Sequence, residues 1–211
     1  MAMRAPPSQV LPGFRYLPAR LDEAAQRDLL SAVEAIAAEA PFSRYVMPRT
    51  GRPFSIDMTN AGPLGWVSDR GSYRYTDRHP VTGRPFPPIP RLVLDLWDEL
   101  TGYGHPPECC LINHYRGEGA KLGLHRDEDE AATEAPILNL SLGDTARFRL
   151  GGPRRTDPTR SFPVPSGTVM VFAGPARLAY HGVDRILPGT SGLVPGGGRL
   201  NITVRRVTIP G

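Results

Sequence analysis

His125 and Asp127 form an H-x-D pair inside the stretch Asn113 to Glu130, NHYRGEGAKLGLHRDEDE. In an extended backbone, residues two apart point to the same side. An imidazole nitrogen and a carboxylate oxygen can therefore meet at one point, as the first two ligands of a metal site do. A third ligand must come from elsewhere, and His181 in Leu178-Ala179-Tyr180-His181-Gly182 is the best candidate. Two histidines and one carboxylate with other positions open make a facial triad suited to non-haem Fe(II) and dioxygen. The plainer reading of the same residues is a loop aspartate and two hydrogen-bonded histidines, so the surroundings must decide.

A second group with chemistry in it is Arg199-Leu200-Asn201-Ile202-Thr203-Val204-Arg205. As a strand it puts Arg199, Asn201, Thr203 and Arg205 on one face and Leu200, Ile202 and Val204 on the other. A buried arginine needs an anionic partner. A ligand with two carboxylates would satisfy both arginines, each through a bidentate fork. An edge strand with a solvated polar face accounts for the residues equally well. A third group, within residues 42 to 88, mixes aromatics (Trp66, Tyr73, Tyr75) with arginines (Arg44, Arg49, Arg52, Arg70, Arg74, Arg78, Arg84). Aromatics stack on bases and arginines bind phosphates; a flap whose aromatics form a satellite core is the alternative.

The elements that must position these groups are mostly strands. The 24 Pro and 23 Gly in 211 residues favour turns and short strands over long helices. Expected strands are Phe14 to Leu17, Phe54 to Asn60, Cys109 to Tyr115, Ile137 to Leu142, Ala146 to Leu150, Thr168 to Phe172 and Leu200 to Val207. Few of residues 62 to 79 are expected in regular structure. Two helices are expected. Asp22 to Ala40 carries an apolar stripe (Leu29, Val33, Ile36, Ala37, Ala40) and stops at Pro41; Pro90 to Leu100 carries Leu92, Val93, Leu96 and Leu100 and ends at Gly102. Such strand spacing predicts a sandwich or jelly roll with the helices covering one sheet from outside.

The bulk properties exclude little. The net charge of +4 is compatible with an anionic partner without demanding one. The start, MAMRAPPSQVLPGFRY, lacks the apolar run of a signal peptide, and no stretch approaches the roughly 20 apolar residues of a membrane span. Cys109 and Cys110 are neighbours in a strand and poor disulfide partners, one expected in the core and the other near the surface or under a neighbouring segment; a reducing cytoplasm fits. Residues 1 to 13 are Pro-rich and expected to be loosely held.

In order and combination these residues resemble the AlkB family of Fe(II)- and 2-oxoglutarate-dependent dioxygenases, close to its bacterial DNA-repair members. The likeness covers roughly residues 42 to 207. It is carried by Met58-Thr59-Asn60, Leu64-Gly65-Trp66, Leu111-Ile112-Asn113 with Tyr115, Ala120-Lys121-Leu122, and His125-x-Asp127-x-Asp129-Glu130. It continues through Ser141-Leu142-Gly143, Arg155-x-Asp157-Pro158, Tyr180-His181-Gly182 and Arg199-x-Asn201-x-Thr203 with Arg205.

The resemblance implies an α+β, mainly β fold: a double-stranded β-helix with supporting helices. Residues 1–41 would be an N-terminal extension and supporting helix, 42–88 a nucleotide-recognition lid and 89–211 the jelly-roll core, one domain overall. It implies His125, Asp127 and His181 as iron ligands. Asn113, Tyr115, Arg199, Asn201 and Arg205 would bind 2-oxoglutarate. Met58, Trp66, Tyr73, Lys121, Asp129, Glu130 and Arg155 would hold substrate base and backbone. The implied reaction oxidises the methyl group of 1-methyladenine or 3-methylcytosine in single-stranded DNA first and RNA second. Dioxygen is consumed, 2-oxoglutarate leaves as succinate and CO2, and the methyl carbon leaves as formaldehyde. The same chemistry on transfer RNA or protein is the runner-up; an inactive nucleic-acid-binding relative and a zinc-bound cupin-like protein are the readings from other classes. A monomer is expected, with no membrane partner. Glu128 departs from some relatives, which carry a basic residue there. Residues 188 to 198 form an elaborated Gly/Pro-rich turn, and His79, His105 and His114 match no ligand position.

Overall fold

Asp22 begins the first helix, α1 (Glu23–Glu39), because its side chain accepts a hydrogen bond from the Ala25 amide, one of the donors a helix start leaves free. The computed structural model describes residues 11–117 and 119–211; most of the Pro-rich start thus lies outside the described residues. The second helix, α2 (Arg91–Thr101), follows Pro90 and ends at Gly102, whose φ of 60° closes the helix in the left-handed region. Both elements lie where the apolar spacing puts them. Trp97, unremarked in the periodic stripe, is the most deeply seated α2 side chain together with Val93.

Twelve strands are found among the described residues, seven of them in the expected set. In chain order they are β1 (Phe14–Leu17), β2 (Asp57–Ala61), β3 (Gly65–Ser68), β4 (Tyr73–Thr76), β5 (Cys109–Tyr115), β6 (Leu122–His125), β7 (Ile137–Gly143), β8 (Thr145–Leu150), β9 (Arg160–Val164), β10 (Val169–Phe172), β11 (His181–Leu187) and β12 (Arg199–Arg205). Pairing is antiparallel throughout. Six strands make one sheet in the order β1-β10-β7-β12-β5-β2, four make a second in the order β6-β11-β8-β9, and β3-β4 is a separate hairpin. This is the jelly-roll architecture expected from the strand spacing.

The period-2 rule divides each strand of the large sheet between two apolar layers. On one side Cys110, Ile112, Leu138, Leu140, Leu200, Ile202 and Val204 pack with α1 and α2 residues such as Leu29, Val33, Leu96 and Trp97. On the other, Cys109, Leu111, Ile137 and Met170 face Phe148, Leu150, Phe162 and Val183 of the smaller sheet. The two cysteines thus point to opposite faces, Cys109 into the inter-sheet core and Cys110 under the helices, the second of its two expected places, and both thiols are buried and free.

The region from 42 to 88 is more ordered than its Gly and Pro content suggests. Strand β2 starts at Asp57, later than the alternation from Phe54 implies, and joins the edge of the large sheet by pairing with β5. Beyond it the chain forms the β3–β4 hairpin with Trp66 opposite Tyr75. Its turn is made by Asp69, whose carboxylate accepts from the Gly71 and Ser72 amides. Strands β6, β9 and β11 also lie outside the expected set, although β6 holds the first half of the H-x-D pair.

Candidate active site

Strand β6 ends at His125 and β11 begins at His181, and these two residues are ladder partners. Asp127 lies two residues past the end of β6. The ligating atoms of His125, Asp127 and His181 fall within 4.8 Å of one another, the one such group of three metal-binding side chains among the described residues. His125 Nε2 is 3.8 Å from one Asp127 oxygen and His181 Nε2 is 3.9 Å from the other.

Both rings are already set for coordination. His125 Nδ1 is 2.8 Å from the Gly123 carbonyl and His181 Nδ1 is 3.0 Å from the Ala179 carbonyl. A carbonyl only accepts, so each Nδ1 carries the proton and each Nε2 keeps its lone pair for a metal. Burial pushes the His181 imidazole down to about 4, helped by the neighbouring His125, so His181 is neutral at physiological pH. Burial alone would raise the Asp127 pKa; the Arg205 guanidinium, the two imidazoles and Arg177 outweigh it and hold the carboxyl well below its usual range. Two imidazole nitrogens and one carboxylate meet the donor requirement of Fe(II).

Arg205 Nη2 lies 2.8 Å from Asp127 Oδ1, and its Nε is 3.5 Å from Glu130. Its charge is therefore met inside the protein, and the expectation that both strand arginines need an external dianion does not hold for it. Arg199 is different. It is fully buried, and its guanidinium donates only to neutral oxygens: Val164 O at 2.8 Å, Asp144 O at 3.2 Å and Ser141 Oγ at 2.6 Å. Its Nε has no partner among the described residues, nor has the buried Asn113 Oδ1. Desolvation pushes the Arg199 pKa down to about 10. A buried cation without a counter-anion, opposite Tyr115 in the ladder and two residues from Asn201, fits a carboxylate of an anionic co-substrate.

A cavity of about 500 Å³ is lined by most of these groups. Its floor includes Asn113, Tyr115, Asn201 and Arg205; its metal side includes all three triad residues; its outer wall includes Met58, Trp66, Tyr73, Asp129 and Arg155. Arg199 lies beyond this lining. A larger depression, about 1150 Å³ between α1 and the 188–198 loop, contains none of the triad; the donor set, not volume, marks the site.

The outer wall is rigidly built. The Asn60 side chain brackets Trp66, donating to its carbonyl at 2.9 Å and accepting from its amide at 3.0 Å. The Trp66 indole N–H donates to Asp129 at 2.8 Å, and its ring stacks on Tyr73 with centroids 5.4 Å apart. Arg155 lies over the Tyr180 ring and donates to the Leu124 carbonyl.

Two expected substrate residues stand apart from the cavity. Glu130 is buried; it pairs with Arg177 at 2.8 Å and accepts from the Tyr75 hydroxyl, so it belongs to the packing behind Asp127. Lys121 is exposed on the other side of β6, where its amide donates to Ser55. Arg177, not anticipated, donates to the Asp127 carbonyl, the Ala135 carbonyl and Glu130. Nothing local in the sequence marks it, because each partner is more than forty residues away. Asn139 was also overlooked; its alternation with Ser141 in an otherwise apolar strand was a usable signal. Of the unassigned histidines, His79 accepts from the Val81 and Thr82 amides and His114 packs on Phe42, both away from the triad.

Comparison with known proteins agrees with this geometry. The model of the 2OG-Fe(II) oxygenase superfamily matches residues 13–205, which defines the chain's class: it uses Fe(II), 2-oxoglutarate and O2. The chain is 57% identical over 208 residues to an alpha-ketoglutarate-dependent dioxygenase AlkB homolog of Caulobacter vibrioides, covering 98% of this chain and 93% of the relative. It is 39% identical over 169 residues to the alpha-ketoglutarate-dependent dioxygenase AlkB of Escherichia coli, covering 78% and 77%. The solved structure of OsALKBH1 superposes with a TM-score of 0.80 at 29% identity, covering 95% of this chain and all of that one. The chain belongs to the AlkB family of dioxygenases.

Proposed function

We propose that this dioxygenase removes N-methyl groups from bases of single-stranded nucleic acid, DNA first and RNA second. The observation that carries the reading is one cavity in which an aromatic, acidic wall (Trp66, Tyr73, Asp129) meets the His125–Asp127–His181 triad. In this reading His125, Asp127 and His181 hold the iron. Arg199 takes the distal carboxylate of 2-oxoglutarate, assisted by Asn113, Tyr115 and Asn201. Arg205 steadies Asp127 and borders the same co-substrate. When bound, iron and 2-oxoglutarate supply the oxidising power for placing oxygen on a methyl carbon.

The chain's own residues do the rest. Trp66 and Tyr73 offer ring faces to a planar base, and Asp129 favours one that carries positive charge, as 1-methyladenine and 3-methylcytosine do. Met58 closes the apolar side and excludes water. Arg155, at the mouth, is placed for a phosphate or a base edge. The methyl groups in question lie on the Watson–Crick edge, so the base must be unpaired or flipped to enter.

His125→Ala separates an enzyme from a binding module. Under this reading the variant binds a methylated oligonucleotide within a few-fold of wild type but turns none over. Equal affinity together with no turnover by the iron-loaded wild type would transfer the case to the binding module.

A further inference from the structure

The smaller sheet has a solvent face that the reading above leaves unused. Along β8, Ala146, Phe148 and Leu150 are buried while Arg147 and Arg149 alternate with them and point outward. Arg185 of β11 is the ladder partner of Arg147, and Gly182, which has no side chain, that of Arg149. Together with Lys121 these cations border a cleft of about 560 Å³. Among the described residues Asp184 is its one acidic lining residue: Arg149 bonds to it, and Arg147 Nε stands 4.0 Å away. Four positive charges thus face one negative charge. Arg147 Nε is closed to solvent and has no hydrogen-bond partner among the described residues.

The cleft adjoins the active cavity. Leu122, Gly123, Leu124 and Val183 line both, and β6, the edge strand of its sheet, is the wall between them. Among the described residues no aromatic side chain lines the cleft. It therefore offers charge and hydrogen bonds but no stacking surface.

We propose that this cleft is a track for the phosphate backbone of the strand whose base occupies the active cavity, with Arg147, Arg185 and Lys121 as the phosphate-binding groups. The inference rests on the nucleic-acid reading of the site. Guanidinium forks match phosphate oxygens, and a lining without aromatics holds backbone and ignores sequence. An acidic protein segment would suit the charge, but the shared wall with the cavity favours the substrate strand.

The test compares the iron- and 2-oxoglutarate-loaded wild type with Arg147→Gln/Arg185→Gln, neither residue belonging to the catalytic machinery. Binding of fluorescent, unmethylated single strands of about 5 and about 20 nucleotides is followed by anisotropy across a salt series. The double variant is expected to bind the longer strand about tenfold more weakly and to lose about 1.4 from the slope of log affinity against log salt, about 0.7 per lost phosphate contact. The short strand should bind both proteins alike. Unchanged affinity and slope for the longer strand would overturn the track; if polyglutamate binding falls instead, the cleft belongs to an acidic protein. Methyl loss from a short 3-methylcytosine strand, measured in both proteins, reports separately on the demethylase reading, so the two can fail independently.

Discussion

Arg205 and Asp127 form a buried ion pair, Nη2 to Oδ1 at 2.8 Å, directly behind the metal-binding oxygens. Strand β12 brings the arginine and the turn after β6 brings the aspartate, so the pair ties the two sheets together at the site. Arg205 keeps Asp127 ionised and fixes its rotation, with Glu130 and Arg177 bracing the opposite side. Arg205→Met should therefore weaken Fe(II) binding at neutral pH by about 10- to 100-fold, the usual effect of losing a partner that orients a ligand. The sign with pH follows from the depressed carboxyl: without the guanidinium Asp127 protonates at higher pH, so the acid-side loss of metal moves upward. Anaerobic metal titrations at several pH values measure both effects.

Arg199 should separate co-substrate binding from stability. Its guanidinium is buried without an acid, so Arg199→Met removes an uncompensated charge along with three hydrogen bonds to neutral oxygens. We expect the unloaded protein to keep its stability within about 1 kcal/mol, while 2-oxoglutarate affinity falls by about 2–3 kcal/mol, or about 30- to 150-fold. Thermal melting with and without 2-oxoglutarate reads both. A large loss of unloaded stability would make Arg199 a structural residue instead.

Asp129 both accepts from Trp66 and supplies a negative charge at the mouth of the cavity. Asp129→Asn retains an acceptor for the indole and loses the charge. Its kcat/KM should drop about tenfold on a cationic methylated base and much less on a neutral alkylated one. Consumption of 2-oxoglutarate without substrate should stay the same. An equal drop on both bases would mean that Asp129 acts only by holding Trp66.

His114 gives a pH effect remote from the metal. It packs on Phe42, and Arg116 donates to its Nδ1 at 2.9 Å. Burial, then the Arg116 charge, push its imidazole down from 6.5 to about 4, against a smaller opposing pull from Asp57. Protonation therefore favours the unfolded chain. The stabilising contribution is complete above pH 6.5, declines as pH falls below that, and is gone below about 4. His114→Gln should flatten the dependence of Tm on pH across this window, measured by calorimetry.

Much of the site was legible because its residues obey the period-2 rule. Asn113 with Tyr115, and Arg199 with Asn201 and Arg205, each share the face that strand alternation assigns them, and the two strands pair in register. The triad was legible through H-x-D, although Asp127 lies past the strand end rather than within it. What escaped depends on contacts distant in sequence. Glu130 was expected to hold substrate, and only the fold shows Arg177 and Tyr75 closing over it. The β3–β4 hairpin escaped because an aspartate side chain builds its turn, without a two-residue Asn-Gly or Asp-Gly signal between regular strands.

The most direct test loads the protein anaerobically with Fe(II) and 2-oxoglutarate, then admits air with a single-stranded oligonucleotide carrying one 3-methylcytosine. Mass spectrometry follows the methyl group and a chemical assay follows formaldehyde. The account predicts loss of the methyl mass and an equal yield of formaldehyde, only when iron, 2-oxoglutarate and oxygen are all present. If 2-oxoglutarate is consumed while the base stays methylated, in DNA and RNA alike, the substrate assignment is contradicted.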